Sequence, residues 1–260
     1  MVYTCYEMIR DCRADLPAGW SHFLTHYVPA IRRLIEHYAP DQSGDNALLE
    51  RILLAMRDPA SSLFQSLEPA PERWFVAELR QRVLTELEAP AVEIELATVA
   101  DALAPLTVTE KQAAWLESMR YSPEQVAPML RVSAATVEKI RHRAADLVRG
   151  KVDTWRRTLL ADNGLALGRA AAAAASKDCL PGRSFLDIIE GRTTWLGRDQ
   201  IERHVAACWH CIDHFCRMLE VVDVMRRSRP LEEAAVAPFR RLLALPEPGR
   251  TAWKRMFGIA

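Results

Sequence analysis

The sequence predicts an all-α protein, and three observations lead to that prediction. Glycine is scarce, with ten residues in 260, and runs of β-branched residues are short. Apolar residues recur at spacings of three and four, which is the period of an amphipathic helix. Proline, glycine and asparagine fall between segments of helical length, where they end helices.

Composition narrows the class of protein further. Half of the residues are hydrophobic, and 34 basic residues balance 34 acidic ones. The high hydrophobic content excludes a mostly disordered chain. The balanced charge excludes a protein that is basic throughout. Any contact with nucleic acid therefore has to come from a local basic patch. No run of about 18 apolar residues occurs and the N-terminus has no apolar core of a signal peptide, so the sequence predicts a cytoplasmic protein without a membrane contact.

The first 88 residues predict a helical module. An apolar face runs from Trp20 to Tyr38, a second helix spans residues 47–56, and a third spans residues 72–87. Residues 89–108 are acidic and contain two prolines, which is typical of a linker.

Residues 116–149 predict a helix-turn-helix. Ser122 followed by Pro123 is a helix start, residues 131–133 form a turn, and Ser133 begins the second helix. The apolar residues of that second helix fall on one stripe, formed by Val137, Ile140, Ala144 and Leu147. The opposite face carries the residues that we expect to contact DNA, namely Thr136, Lys139, Arg141, His142 and Arg143.

Local charge favours the same interpretation. Between residues 138 and 157, seven basic residues accompany three acidic ones, which supplies the basic patch that the total composition lacks. The alternative is an ordinary pair of amphipathic helices with a solvated outer face.

A metal site is predicted near the C-terminus from the spacing C-x24-H-x3-C-x2-C, which comprises Cys179, His204, Cys208 and Cys211. On a continuous helix His204 and Cys208 face the same side and Cys211 follows one turn later. One imidazole and three thiolates suit Zn²⁺, and four protein ligands indicate a structural site. The alternative is that these are ordinary core residues.

The remaining cysteines are predicted to lie outside this site. Cys216 is expected to be a free thiol, while Cys5 and Cys12 have no partner histidine. Alanines 170–175 mark a further boundary, for which a helical spacer is the preferred interpretation. A short amphipathic helix is expected within residues 226–260.

The stretch YSPEQVAPMLRVSAATVEKIRHRAADLVR resembles region 4 of bacterial RNA polymerase sigma factors of the extracytoplasmic-function type. Residues 48–58, LLERILLAMRD, resemble the polymerase-binding helix of sigma region 2, and residues 64–88 resemble the loop and helix that open the minus-ten element. Two features depart from that pattern. Ala47 and Arg51 stand where acidic residues are usual, and the third helix balances its arginines with glutamates.

The segment around the predicted metal ligands resembles the zinc-binding anti-sigma domain. His204, Cys208 and Cys211 match its H-x3-C-x2-C signature, and Cys179 matches its upstream ligand. The two resemblances imply a division of the chain into six parts. These are a region 2-like domain (1–88), a linker (89–108), a region 4-like helix-turn-helix (109–158), an Ala-rich linker (159–178), a zinc-binding domain (179–225) and a helical tail (226–260).

The function implied is that of a sigma factor-like transcription regulator. Its expected partners are core RNA polymerase and promoter DNA, its cofactor is Zn²⁺, and the zinc-binding domain would contact the sigma-like modules of the same chain and regulate them. The alternatives are a degenerate sigma-like interaction module, an anti-sigma-type regulator that does not initiate transcription, or a metal-responsive repressor that uses the helix-turn-helix alone. No Gly-rich phosphate loop, H-E-x-x-H or G-x-S-x-G motif occurs, so no enzyme activity is predicted.

Overall fold

The computed structural model describes residues 3–44, 46–58, 63–66, 71–87, 104–148 and 165–246. Within these ranges the chain is helical and contains no strand, which confirms the predicted all-α class. The described α-helices are α1 (Cys5–Arg13), α2 (Pro17–Tyr38), α3 (Ala47–Arg57), α4 (Leu63–Ser66), α5 (Glu72–Glu86), α6 (Val108–Ser118), α7 (Pro123–Leu130), α8 (Ala134–Val148), α9 (Leu165–Ala173), α10 (Gly182–Ile189), α11 (Trp195–Ala207), α12 (Trp209–Arg227) and α13 (Glu233–Leu242). Among them, none has both the length and the apolar character needed to cross a bilayer.

The chain divides into two compact units. The first contains Met1–Leu87 together with Val224–Ala260, and the second contains Glu88–Asp223. The helix-turn-helix and the predicted metal ligands therefore belong to the same unit, while the C-terminal segment belongs with the N-terminal helices. Most of the predicted linker 89–108 falls outside the described residues, as do residues 149–164, which hold part of the predicted basic patch. In the predicted Ala-rich linker 159–178, residues 165–173 form α9, in which Ala171 is fully buried.

The first unit is built around an aromatic cluster. Trp20, Phe23 and Tyr27 of α2 meet Phe64 of α4 and Phe75 of α5, with ring centroids 4.9–6.2 Å apart. Offset and edge contacts of this kind are the favourable geometries for aromatic pairs. Phe75 is fully buried, so it belongs to the core of this unit.

Helix α1 extends the module beyond what periodicity predicted. Thr4 begins it with a capping box, in which its side chain accepts a hydrogen bond from the Glu7 amide and the Glu7 carboxylate accepts one from the Thr4 amide. Helices α1 and α2 approach closely at Gly19, where an added Cβ would lie 2.6 Å from the Cys12 backbone nitrogen. Only glycine permits this crossing distance.

The segment before the C-terminal helix α13 hydrogen-bonds to a carbonyl of α2 that a proline leaves without its helical partner. Pro29 lies inside α2 and has no amide hydrogen, so the carbonyl of Thr25, four residues earlier, loses its usual helical partner. That carbonyl accepts a hydrogen bond from the Leu231 amide at 2.8 Å. Helix α13 then packs on α2 and α3, with Phe239 buried and the Arg32 guanidinium 5.3 Å from its ring centre.

Candidate metal centre and nucleic-acid interface

The helix-turn-helix begins and ends its helices with local hydrogen bonds. Ser122 caps α7, where its side chain accepts from the Gln125 amide, and the Gln125 side chain accepts from the Ser122 amide. Arg131 ends α7 in the left-handed conformation, with φ 58° and ψ 41°. The Ser133 hydroxyl then accepts from the Thr136 amide at 3.1 Å and starts α8. Both predicted N-caps are therefore confirmed.

The described residues of the apolar stripe of α8 pack as the spacing predicted. Val126, Ala127 and Met129 of α7 are buried, and so are the α8 residues Val137, Ile140 and Ala144. The side chain of Leu147 lies outside the described residues. Pro128 is exposed, and α7 continues through it to Leu130.

The outward face of α8 presents the five residues predicted to contact DNA. Thr136, Lys139, His142 and Arg143 are exposed, and Arg141 is half-buried. Two of these cations already have acidic neighbours in the second unit. Arg143 pairs with Glu110 at 2.7 Å, and Arg141 lies 3.9 Å from Glu117 and 3.7 Å from Glu138. Binding to a phosphate would therefore replace these ion pairs, which lowers the net electrostatic gain.

The predicted metal ligands converge from four positions in the second unit. Cys179 lies in the turn between α9 and α10, His204 in α11, Cys208 between α11 and α12, and Cys211 in the first turn of α12. The three sulfur atoms lie within 4.8 Å of one another. The Cys179 and Cys208 sulfurs are 3.8 Å apart, and His204 Nε2 lies 3.1 Å from the Cys211 sulfur.

The distances among the three thiols fit a single metal ion. A Zn–S bond of about 2.3 Å places two sulfurs of a tetrahedral site about 3.8 Å apart. The Cys179 and Cys208 sulfurs match this separation, and the Cys211 sulfur lies within 4.8 Å of both. The His204 imidazole contacts the Cys211 sulfur, but it lies outside the group of three thiols that the structure brings within reach of one ion. Three thiols with one imidazole are the donor set of a structural zinc site.

The prediction of one continuous helix through the ligands is wrong. Cys208 has an extended backbone, with φ −116° and ψ 109°, and separates α11 from α12. In a continuous helix His204 and Cys211 would be about 10 Å apart along the axis, which is too far for one ion. The break separates α11 from α12, and across it the His204 imidazole lies 3.1 Å from the Cys211 sulfur.

The surroundings shift the pKa values of the Cys179 and Cys211 thiols in opposite directions. The Ser176 amide donates to the Cys179 sulfur at 3.2 Å and lowers the pKa of that thiol. Burial raises the pKa of the Cys211 thiol to about 12, although the Leu180 amide donates to its sulfur at 3.3 Å. Amide donors to sulfur are typical of sites that hold thiolates. A bound cation would favour the thiolate form of Cys211, so metal binding would release protons.

Other cysteines and histidines lie elsewhere. The Cys216 thiol is buried and points at the Gln112 carbonyl at 3.8 Å, as a free thiol. Cys5 and Cys12 lie in α1, where Cys12 contacts the Met8 sulfur. His214 packs its ring on Phe185, with centroids 5.3 Å apart.

The sequence patterns did not indicate a set of buried polar contacts that join α6 and the turn before α7 to α12. The Trp115 indole donates to the Asp213 carboxylate at 3.1 Å, and the Tyr121 hydroxyl donates to the Glu220 carboxylate at 2.6 Å. Both acidic residues are buried. One signal was available, because Asp213 and Glu220 are seven residues apart on the apolar stripe of α12, where an unpaired acid would be costly.

Comparison of the chain with protein-family models, with curated proteins and with solved structures finds no match. The function proposed below is therefore based on the geometry of the two sites.

Proposed function

We propose that this protein is a sigma factor-like transcription regulator that binds core RNA polymerase and promoter DNA, and that its zinc-binding segment regulates it within the same chain. One observation carries the proposal. A helix-turn-helix with a cationic outer face lies in the same compact unit as three cysteines, Cys179, Cys208 and Cys211, that could hold a metal ion. A DNA-reading element whose packing includes a metal site is suited to regulation.

Each part has a role in this proposal. Helix α8 would enter the major groove, with Lys139, Arg141 and Arg143 on phosphates and Thr136 or His142 toward base edges. The Thr136 hydroxyl lies 2.8 Å from the Ser133 hydroxyl, so it would exchange that partner on binding.

The first unit would bind polymerase through α3 and the minus-ten element through α5. Arg51, which stands where sigma factors usually have an acid, donates to the Glu86 carbonyl at 2.7 Å and so ties α3 to α5. Of the two aromatic residues at the start of α5, Phe75 is buried, which leaves the half-buried Trp74 as the residue for base stacking.

Zn²⁺, when bound, would supply a fixed tetrahedral node that holds otherwise separate segments together. The chain's own residues hold these segments together and orient the sulfur atoms. Cys179 ties the turn before α10 to the junction of α11 and α12, and amides from Ser176 and Leu180 orient the sulfurs. The proposal assigns the site no catalytic step.

The test is promoter-dependent run-off transcription with core polymerase, together with a polymerase-binding assay. We expect the wild type to bind core polymerase and to direct a specific transcript. Arg141→Ala/Arg143→Ala should abolish the transcript while retaining polymerase binding. The matched control, Arg183→Ala/Arg203→Ala, removes two exposed arginines that pair with aspartates in the same unit, and it should behave as wild type.

A second candidate function is a protein-interaction module that does not initiate transcription. An open groove of about 460 Å³ lies between α6, the start of α7 and α8, lined by apolar residues that include Ala113, Val126, Val137 and Ile140. Together with the ion pairs of Arg141 and Arg143, this groove favours a peptide-binding surface. Polymerase binding without any transcript, unchanged in the double arginine variant, would support this second function and contradict the first.

A further inference from the structure

Lys111 of α6 reaches the segment that carries the metal ligands. Its side-chain nitrogen donates to the Ala206 carbonyl at 2.7 Å, and the residue is only 5% exposed. Ala206 is in the last turn of α11, two residues before Cys208. The last carbonyls of a helix have no partner within the helix, and a basic side chain satisfies them well.

The same α6 face contacts the residue after Cys208. The Lys111 ammonium lies 5.5 Å from the centre of the Trp209 ring, and Trp115, one turn further along α6, stacks on Trp209 with centroids 5.5 Å apart. The Trp115 indole also donates to Asp213 in the next turn of α12. Helix α6 therefore contacts the chain immediately before and immediately after Cys208.

These contacts bear on the metal site through the backbone at Cys208. His204 and Cys211 come into contact across the helix break at Cys208, and Lys111 satisfies a carbonyl that this break leaves without its helical partner. A cationic donor to that carbonyl stabilises the broken conformation over a continuous helix, in which the Ala206 carbonyl would accept from the residue-210 amide.

We infer that Lys111 is a positioning residue for the metal centre, and that metal occupancy is thereby coupled to the packing of α6 in the helix-turn-helix unit. The inference rests on the proposed metal centre and adds the route by which that centre acts on the DNA-reading element. Coupling is reciprocal, so loss of Lys111 weakens metal binding and loss of metal loosens α6.

The first measurement is the zinc affinity of the full chain by competition with a chromophoric chelator. Lys111→Met should weaken zinc binding about tenfold, which is the lower end of the effect of residues that orient metal ligands. Lys111→Arg keeps a cationic donor and should stay within about threefold of wild type on the same scale. Val126→Ala opens a small cavity in α7, away from the α11–α12 junction, and controls for general destabilisation.

The second measurement is hydrogen exchange of the wild-type chain with and without zinc, which does not depend on the folding of a variant. Zinc should slow exchange of the α6 amides as well as those of α11 and α12. The inference is overturned if Lys111→Met binds zinc as tightly as wild type, or if zinc protects α11 and α12 and leaves α6 unchanged. A wild-type chain that binds no zinc would instead remove the metal centre itself, and the inference with it.

Discussion

Replacing Tyr121 by phenylalanine tests whether the helix-turn-helix and the metal-binding segment fold as one unit. Tyr121 precedes α7, its hydroxyl donates to Glu220 of α12 at 2.6 Å, and Glu220 is fully buried. The substitution keeps the ring and removes a single donor. Because Glu220 is 99 residues away in sequence, the hydrogen bond forms only when both segments are folded together.

The magnitude follows from burial. A hydrogen bond to a buried acidic side chain contributes about 1.5–3 kcal/mol, since its loss leaves an acceptor away from water. We therefore expect Tyr121→Phe to lower the free energy of unfolding of the second unit by about 2 kcal/mol. With a urea m-value of about 2 kcal/mol/M, the midpoint of that transition should fall by about 1 M.

The assay is urea unfolding of the full chain, followed by circular dichroism and by tryptophan fluorescence. Tyr6→Phe is the matched control, because Tyr6 lies in the first unit with 47% of its surface exposed. In a Glu220→Gln background, Tyr121→Phe should cost less, since the two residues interact. A midpoint shift for Tyr121→Phe no larger than that of Tyr6→Phe would show that the two segments do not fold as one unit.

The remaining predictions concern the metal, the DNA surface, a helix crossing and pH. Cys208→Ser/Cys211→Ser should lose the one zinc expected per chain, while Cys5→Ser/Cys12→Ser should retain it. Zinc content by mass spectrometry decides this, and stoichiometric zinc in the first variant would contradict it. Arg141→Ala/Arg143→Ala should weaken binding to all DNA sequences and reduce the salt dependence by roughly one to two units of slope, measured by anisotropy. An unchanged slope would indicate a protein-binding surface. Gly19→Ala should destabilise the first unit by about 1–3 kcal/mol, since its Cβ would lie 2.8 Å from the backbone carbon of Asp11, whereas Gly44→Ala has open space. Equal melting temperatures of the two variants would count against the crossing. Burial lowers the pKa of His22 to about 4 from its ordinary value of 6.5, with His26 adding to the effect. The unfolded chain binds that proton first, so stability should fall as pH drops from about 6.5 toward 4, and His22→Asn should flatten that slope in pH-dependent unfolding.

Local patterns predicted the parts of this protein that depend on neighbouring residues. Apolar periodicity located α2, α3 and α5, and cap chemistry located the ends of α7 and the start of α8. Such features depend on hydrogen bonds and burial among residues that are close together in the sequence. The local sequence is therefore enough to predict them. Helix α1 was not predicted, because only its capping box marks its start and its apolar face is short.

The residues of the cysteine cluster were predictable, whereas the backbone geometry that brings them together was not. Spacing grouped Cys179 with Cys208 and Cys211, because thiols and imidazoles at such intervals are typical of metal ligands. The break at Cys208 was not foreseen, since neither proline nor glycine stands there. It is favoured by contacts from Lys111 and Trp115, nearly 100 residues earlier.

Long-range partners limited the prediction elsewhere. Pro29 marks an interrupted hydrogen bond in α2, but nothing near it indicates that Leu231 would supply the missing donor. The same holds for the acidic partners of Arg141 and Arg143, which come from α6 as well as from α8. The composition of the outer face of α8 was therefore predictable, and its degree of neutralisation was not.

The central claim, that this chain directs transcription through DNA contacts made by α8, is tested most directly by genome-wide occupancy. The measurement compares the tagged full chain with its Arg141→Ala/Arg143→Ala variant and maps core RNA polymerase in the same cells. We expect a limited set of sites upstream of transcription starts, shared with polymerase in the wild type and lost in the variant. Occupancy without enriched sites, or sites that persist in the variant, would contradict it.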